Sequence, residues 1–191
     1  AYLHLMPPHA PYLPSAQFKG MFDDGWAPTP QKKHRLGADL APERLNAQRQ
    51  LYDEFIANLD HDFGLLLDDW EQSGILENSI IILTSDHGEM FQKGVSGHST
   101  PLVFEPGVRV PLIISAPGQR QRQDVYSLTS TVDLLPSILH IAGKPVPAWC
   151  EGQPLPQLGG EERADGSIFS VAAKKNNAYQ PLTKATVALL Q

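Results

Sequence analysis

The segment SIIILTSDHGEMF, residues 79–91, is an apolar run that ends abruptly in residues able to do chemistry. Asp86 supplies a carboxylate and His87 an imidazole, and Gly88 gives the backbone room to turn both side chains toward one position. A carboxylate favours hard cations such as Ca²⁺ or Mg²⁺, whereas an imidazole also accepts Mn²⁺ or Zn²⁺. The pair is therefore a candidate divalent-cation site, although a capped strand end with a surface ion pair would present the same two residues.

The elements that must position this pair can be read from the spacing of the apolar residues. Leucine and aromatic side chains recur at three- and four-residue intervals between Leu45 and Trp70, which predicts a long helix that begins at Pro42 and ends at Gly74. Continuous apolar runs predict strands at 79–84 and 110–115, covered on both faces. Further predicted elements are a short strand at 2–6, a short helix within 129–142, and a possible strand hairpin at 167–172 and 185–190.

This order of helices and buried strands predicts an α/β fold with a mostly parallel sheet flanked by helices. Ligands of such sheets bind outside the carboxyl ends of the strands. Asp86 and His87 follow the strand at 79–84 directly, so we expect them at that edge.

Composition narrows the class of protein. The chain has 191 residues, 41% of them hydrophobic, and a formal net charge of -6, which argues against a nucleic-acid-binding protein. No apolar run approaches the ~20 residues of a membrane span, and a single cysteine, Cys150, forbids an intramolecular disulfide. The basic clusters at 31–35 and 120–122 are interpreted as solvated loops.

The longer segment ILTSDHGEMFQKGVSGHSTPLVFEPGVRVPLIISAPG resembles the sulfatase family of the alkaline phosphatase superfamily. HLMPPHAPYLP resembles the family's strand-plus-histidine segment, and STVDLLPSILHIAG resembles the helix that follows the metal-ligand strand. The resemblance implies an alkaline-phosphatase-like fold, with residues 1–158 as the carboxyl-side part of the catalytic domain. Residues 159–191 would then be a C-terminal strand region of the same fold.

The resemblance also implies roles for four side chains. Asp86 and His87 would be two ligands of the active-site cation, with Ca²⁺ expected first and Mg²⁺, Mn²⁺ or Zn²⁺ as alternatives. His98 would contact the sulfate or assist the leaving oxygen, and His9 would bind the anionic group of the substrate. A histidine among prolines can also act as a loop cap, so a structural role for His9 is the competing interpretation.

One departure from the family matters. Sulfatases use a formylglycine made from the Cys or Ser of a C/S-x-P-x-R segment, and Cys150, in PAWCEGQPLP, has neither that proline nor that arginine. In the family this segment precedes the part that the chain resembles. We therefore expect a portion truncated at the N-terminus, inactive by itself, of a parent enzyme that hydrolyses small-molecule or glycan sulfate esters.

Two other readings fit the same residues. The parent could be a phosphodiesterase, phosphonate hydrolase or phosphoethanolamine transferase of the same superfamily, acting on a phosphorus ester. It could also be a non-catalytic member that binds an anion or a partner. Among the remaining polar residues, Arg109 is expected to pair with Glu105, and Lys93 and Asp60 are left outside the catalytic set.

Overall fold

The structure is a computed structural model that describes residues 1–98, 102–163, 166–173 and 185–190. Two compact units make up the chain, one formed by Ala1–Thr100 with Pro111–Gln119 and the other by Pro101–Val110 with Arg120–Gln191. The helices are α1 (Pro42–Gln72), α2 (Glu105–Val108) and α3 (Leu134–Ile141). The strands are β1 (Ile81–Thr84), β2 (Phe91–Gln92), β3 (Val95–Ser96), β4 (Leu112–Ser115), β5 (Ile168–Ala172) and β6 (Thr186–Leu190).

Helix α1 has the bounds that the sequence predicts. Pro42 occupies its first turn, where the missing N–H is no loss, and Glu43 lies near the positive end of the helix dipole. Gly74 follows the helix with φ 74°, a left-handed conformation that glycine adopts without strain. At ~1.5 Å per residue, this helix is about 45 Å long.

Helix α1 also holds the irregular segment 15–26 in place. The aromatic side chain of Phe18 is buried. Buried Glu54 accepts a hydrogen bond from the Gly20 N–H at 2.8 Å, and the Arg49 guanidinium lies 4.7 Å from the centroid of the Trp26 ring. The loop is thus fixed by polar contacts as well as by apolar burial.

All strand pairs in the described part of the chain are antiparallel. β1 pairs with β4, with Ile82 opposite Ile114, and β2 pairs with β3 across a tight turn. β5 and β6 form an antiparallel ladder in which Ser170 lies opposite Ala188, which confirms the predicted hairpin. The mostly parallel pairing expected from the sequence is not found among these residues, because an apolar run encodes burial and not strand direction.

Two further expectations need correction. Residues 2–6 form no strand: they are irregular and exposed, ahead of the prolines at 7 and 8. β4 is not covered on both faces either, since its residues alternate and the side chain of Ile113 is 58% exposed. The apolar run at 110–115 therefore predicted a strand correctly without fixing how many of its faces are covered, whereas the short run at 2–6 was not sufficient for a strand.

The second unit is organised around a buried carboxylate. Asp133 is 2% exposed and accepts two hydrogen bonds from Arg163, at 2.7 and 2.8 Å. The backbone N–H groups of Ser130 and Gln153 donate to the same carboxylate at 2.9 and 3.0 Å. Three donor groups, through four hydrogen bonds, thus tie the start of α3 to the loop that follows it.

Within the described residues, no helix combines the length and the apolar character that crossing a bilayer requires.

Candidate active site

Strand β1 delivers its polar residues into a turn stabilised by local hydrogen bonds. The Ser85 hydroxyl donates to the carbonyl of His87 at 2.7 Å, and the His87 N–H donates to Oδ1 of Asp86 at 3.0 Å. The Thr84 hydroxyl donates to the carbonyl of Pro111 at 2.8 Å, which fixes the end of β1 beside the start of β4. The turn therefore presents Asp86 and His87 together at the end of the strand.

The geometry of this pair suits a cation. His87 Nδ1 lies 3.0 Å from the carbonyl of Gly88, so Nδ1 carries the hydrogen and Nε2 keeps its lone pair. Nε2 lies 3.8 Å from Oδ2 of Asp86. Since protein ligands bind divalent cations at about 2.0–2.6 Å, one ion fits between these two atoms. The Asp86 side chain is 72% exposed, which leaves its carboxylate open to a ligand.

The pair alone is an incomplete coordination shell. In the part of the chain that the structure describes, no three His, Cys, Asp or Glu side chains converge on a position that could hold a metal ion. Two protein ligands leave most positions around a hard cation to other donors.

Three histidines that lie far apart in the sequence meet here. The rings of His87 and His98 are stacked, with centroids 3.8 Å apart and an angle of 29° between their planes. The His9 ring lies 5.5 Å from the His98 ring. His9, Asp86 and His87 line a cleft that opens to solvent, and His98 lies beside these rings without lining the cleft itself. The fold thus brings together all four side chains that the sequence singled out.

Glu89 is the residue that sequence reasoning passed over. Its side chain is 4% exposed, and its Oε1 lies 3.0 Å from His98 Nδ1. Its Oε2 accepts a hydrogen bond from the hydroxyl of Tyr12 at 2.9 Å. The signal for Glu89 was its place three residues after Asp86 in the same TSDHGE segment. Nothing in the sequence pattern pointed to Tyr12.

The Tyr12 ring, whose hydroxyl donates to this carboxylate, belongs to a cluster of three aromatic rings. Tyr12, Tyr52 and Phe91 pack against each other with centroid separations of 5.3 to 5.7 Å. Burial, and then the hydrogen bond to Glu89, raises the pKa of Tyr12 well above its ordinary value. Burial and the Glu89 charge raise the pKa of Tyr52. Both phenols are therefore protonated at neutral pH, and Tyr12 acts as a hydrogen-bond donor to Glu89.

Two of the residues left outside the catalytic set, Arg109 and Lys93, make structural contacts. Arg109 donates to Glu105 at 2.8 Å, so the predicted ion pair is confirmed. Lys93 has φ 55° in the turn between β2 and β3, and its carbonyl accepts a hydrogen bond from the His34 N–H. Cys150 is a half-buried free thiol in a loop of the second unit.

The family model described as Sulfatase matches residues 1–144 of this chain. The chain belongs to the sulfatase family. The family resemblance that the TSDHGE and GH segments indicated is thereby confirmed. The matched residues include the whole of the first unit and so the clustered histidines.

Individual relatives agree with this assignment. The chain is 28% identical to a choline-sulfatase of Rhizobium meliloti (strain 1021) over 92% of its own length and 38% of the relative's. It is 35% identical to arylsulfatase K of Bos taurus over 70% of its length and 23% of the relative's. Among solved structures, a phosphonate monoester hydrolase from Silicibacter pomeroyi matches 76% of this chain and 29% of its own, with 30% identity and a TM-score of 0.63.

Two facts follow from these matches. The α/β, alkaline-phosphatase-like fold class predicted from the sequence is confirmed. The chain spans less than two fifths of the length of the curated relatives described above.

Proposed function

We propose that this chain contributes part of the active site of a metal-dependent sulfuric ester hydrolase, a sulfatase that acts on a small-molecule or glycan sulfate ester. The observation that supports the proposal is the meeting of His9, Asp86, His87 and His98 at one place in the first unit. Sulfatase-family membership supports the reaction class. On this proposal, residues 1–158 are part of the catalytic domain and 159–191 a strand region of the same fold.

Asp86 and His87 would hold the divalent cation, with Ca²⁺ as the first candidate because a carboxylate oxygen is a hard ligand. The tautomer of His87 is fixed by the Gly88 carbonyl, which leaves Nε2 as the ligating nitrogen, 3.8 Å from Asp86 Oδ2. When bound, the cation would polarise the sulfate ester and stabilise the negative charge that develops during its cleavage.

His9 and His98 would contact the sulfate group and the leaving oxygen. His9 Nδ1 lies 2.7 Å from the carbonyl of Ala10, and His98 Nδ1 lies 3.0 Å from Glu89. Each ring therefore uses Nδ1 for the protein, and its Nε2 is the nitrogen left for a substrate oxygen. A ring that carries a hydrogen on Nε2 as well, as the imidazolium form does, can donate it there and stabilise the charge that develops on the leaving oxygen.

A phosphorus ester offers the same anionic oxygens to these side chains. A phosphodiesterase, phosphonate hydrolase or phosphoethanolamine transferase is therefore an alternative outcome of the test, as is a non-catalytic protein that binds an anion or a partner.

The test uses the natural protein that carries this chain. Calorimetric Ca²⁺ titration is expected to show binding that Asp86→Ala weakens by about 10-fold or more, since one of two ligands supplied here is lost. Asp68→Ala, an exposed aspartate on helix α1, is the matched control and should bind Ca²⁺ as the unmodified protein does. Ca²⁺ binding that Asp86→Ala leaves unchanged would rule out the metal assignment.

Activity is measured on an aryl sulfate, an aryl phosphodiester and an aryl phosphonate monoester in parallel. The highest kcat/KM on the aryl sulfate would support the proposed sulfatase activity. A higher kcat/KM on either phosphorus ester would contradict it and favour the corresponding phosphodiesterase or phosphonate hydrolase. Ca²⁺ binding with no turnover of the three esters would favour the non-catalytic reading.

A further inference from the structure

The side chain of Glu89 joins two separate parts of the site through its two carboxylate oxygens. Oε1 lies 3.0 Å from His98 Nδ1, and Oε2 accepts the hydrogen bond of the Tyr12 hydroxyl at 2.9 Å. With 4% of the side chain exposed, this carboxylate is nearly removed from water, and its hydrogen bonds come largely from protein groups. A charge in such a position is held by strong, directional bonds.

The contact with His98 selects one tautomer of the imidazole. An ionised carboxylate can accept a hydrogen bond but cannot donate one, so the hydrogen between Glu89 and His98 belongs to Nδ1. That assignment makes Nε2 the nitrogen through which His98 can act on a substrate. The hydrogen bond to Glu89 also restricts rotation of the His98 ring. The ring of His87, stacked on one face of His98, restricts the same rotation.

Through its hydrogen bond with Tyr12, Glu89 also holds the chain segment that contains His9. Tyr12 stands three residues after His9 in the segment that contains the prolines at 7, 8 and 11. The Tyr12 ring packs against Phe91 of β2 at 5.7 Å and against Tyr52 of α1 at 5.4 Å. The hydroxyl of Tyr12 is anchored by Glu89, so this residue fixes the segment that carries His9 relative to the end of β1.

We propose that Glu89 is the positioning residue of the site: one oxygen holds His98 with its hydrogen on Nδ1, and the other holds the His9 segment through Tyr12. Glu89 does not touch the substrate on this proposal. It acts through the two histidines, and the proposal rests on the function proposed above for them.

A purely structural role for Glu89 would predict a different outcome. If the buried carboxylate served stability alone, its replacement would lower the melting temperature without changing which nitrogen of His98 carries hydrogen. The tautomer of His98 is therefore the quantity that separates positioning from stability.

The first experiment records ¹⁵N spectra of the histidine-labelled protein at one fixed neutral pH, using long-range ¹H–¹⁵N correlations that distinguish Nδ1–H from Nε2–H. In the unmodified protein we expect His98 to show a protonated Nδ1. Glu89→Gln should keep that pattern, because the amide oxygen still accepts from Nδ1 and the amide nitrogen can donate to the Tyr12 oxygen. Glu89→Met, which has similar length and no acceptor oxygen, should shift His98 toward the Nε2–H form.

The second readout is steady-state hydrolysis of an aryl sulfate. Glu89→Met is expected to lower kcat by about 10- to 100-fold with a smaller change in KM, a loss typical of residues that orient catalytic groups, and Glu89→Gln should recover most of it. Tyr12→Phe, which removes one hydrogen bond to Glu89 and keeps the ring, should fall between them. Glu77→Gln, an exposed glutamate in the turn after α1, is the control for charge removal alone.

Two results would overturn the proposal. One is an unmodified protein in which His98 carries its hydrogen on Nε2, a measurement that needs no variant to fold. The other is a Glu89→Met protein whose His98 resonances and kcat match those of the unmodified protein. The spectra are read without substrate or metal, so they stand even if the sulfatase assignment fails.

Discussion

His87 and His98 stack face to face, with their ring centroids 3.8 Å apart. The stack couples the proposed cation ligand to the histidine proposed to assist the leaving oxygen. Each ring limits the rotation of the other, and the outer hydrogen bonds to Gly88 and Glu89 hold the pair from both sides. The proposed cation ligand and the histidine proposed to assist the leaving oxygen therefore pack directly against each other.

Two substitutions of His98 distinguish the contribution of its stacked ring from that of its hydrogen-bonding nitrogens. His98→Phe keeps a ring to stack on His87, and His98→Gln keeps a donor for Glu89. We expect both to lower kcat on an aryl sulfate by about 10²- to 10⁴-fold, the usual contribution of an acid–base group. Ca²⁺ affinity, measured by calorimetry, should be retained better in His98→Phe, because His87 keeps its stacking partner. Wild-type kcat in either variant would contradict the role assigned to His98.

The raised pKa values of Tyr12 and Tyr52 predict a loss of stability in alkali. Below the ordinary tyrosine pKa of about 10, both phenols are protonated in the folded and the unfolded chain and add no pH dependence. Above it, the unfolded chain releases these protons while the folded chain keeps them, so stability falls as pH rises. Denaturant midpoints between pH 9 and 11.5 should show this slope, and Tyr12→Phe should reduce it. An unchanged slope in Tyr12→Phe would mean that Tyr12 ionises alike in both states.

The buried pair of Asp133 and Arg163 predicts a large loss of stability in the second unit. Asp133→Asn removes the charge to which three donor groups make four hydrogen bonds. It also leaves the Arg163 guanidinium, only 21% exposed, without its carboxylate. Breaking one side of a buried pair costs about 3–5 kcal/mol. Chemical denaturation checks this value against Glu105→Gln, which breaks an exposed pair and should cost less than about 1 kcal/mol. Equal losses in the two variants would contradict the importance of burial.

Gly152 is predicted to tolerate no side chain. A Cβ at this position would collide with the backbone carbonyl of Val132 and lie 2.8 Å from the backbone nitrogen of Asp133. Because backbone atoms cannot rotate away, Gly152→Ala should destabilise the protein by at least ~1–3 kcal/mol. Gly107→Ala, in α2 with open space around the new methyl group, is the matched control and should be neutral or slightly stabilising. Similar melting temperatures for the two variants would show that the loop at Gly152 can move.

Local sequence determined helix α1 and the polar turn at the end of strand β1, which carries Asp86 and His87. The apolar spacing between Leu45 and Trp70, with Pro42 and Gly74 at its ends, was sufficient for α1, because helix formation depends on neighbours three and four residues apart. Asp86 and His87 were identifiable for a similar reason. Their position follows from a strand and a turn within one short segment.

The tertiary structure decided the relationships between segments. The antiparallel pairing of β1 with β4 and the open face at Ile113 depend on which strands become neighbours, which the hydrophobic pattern leaves open. The hydrogen bond from Tyr12 to Glu89 joins residues 77 positions apart, and no sequence period links them. The sequence by itself therefore names the chemical groups, whereas the tertiary structure brings His9 beside His98 and places the Tyr12 hydroxyl on Glu89.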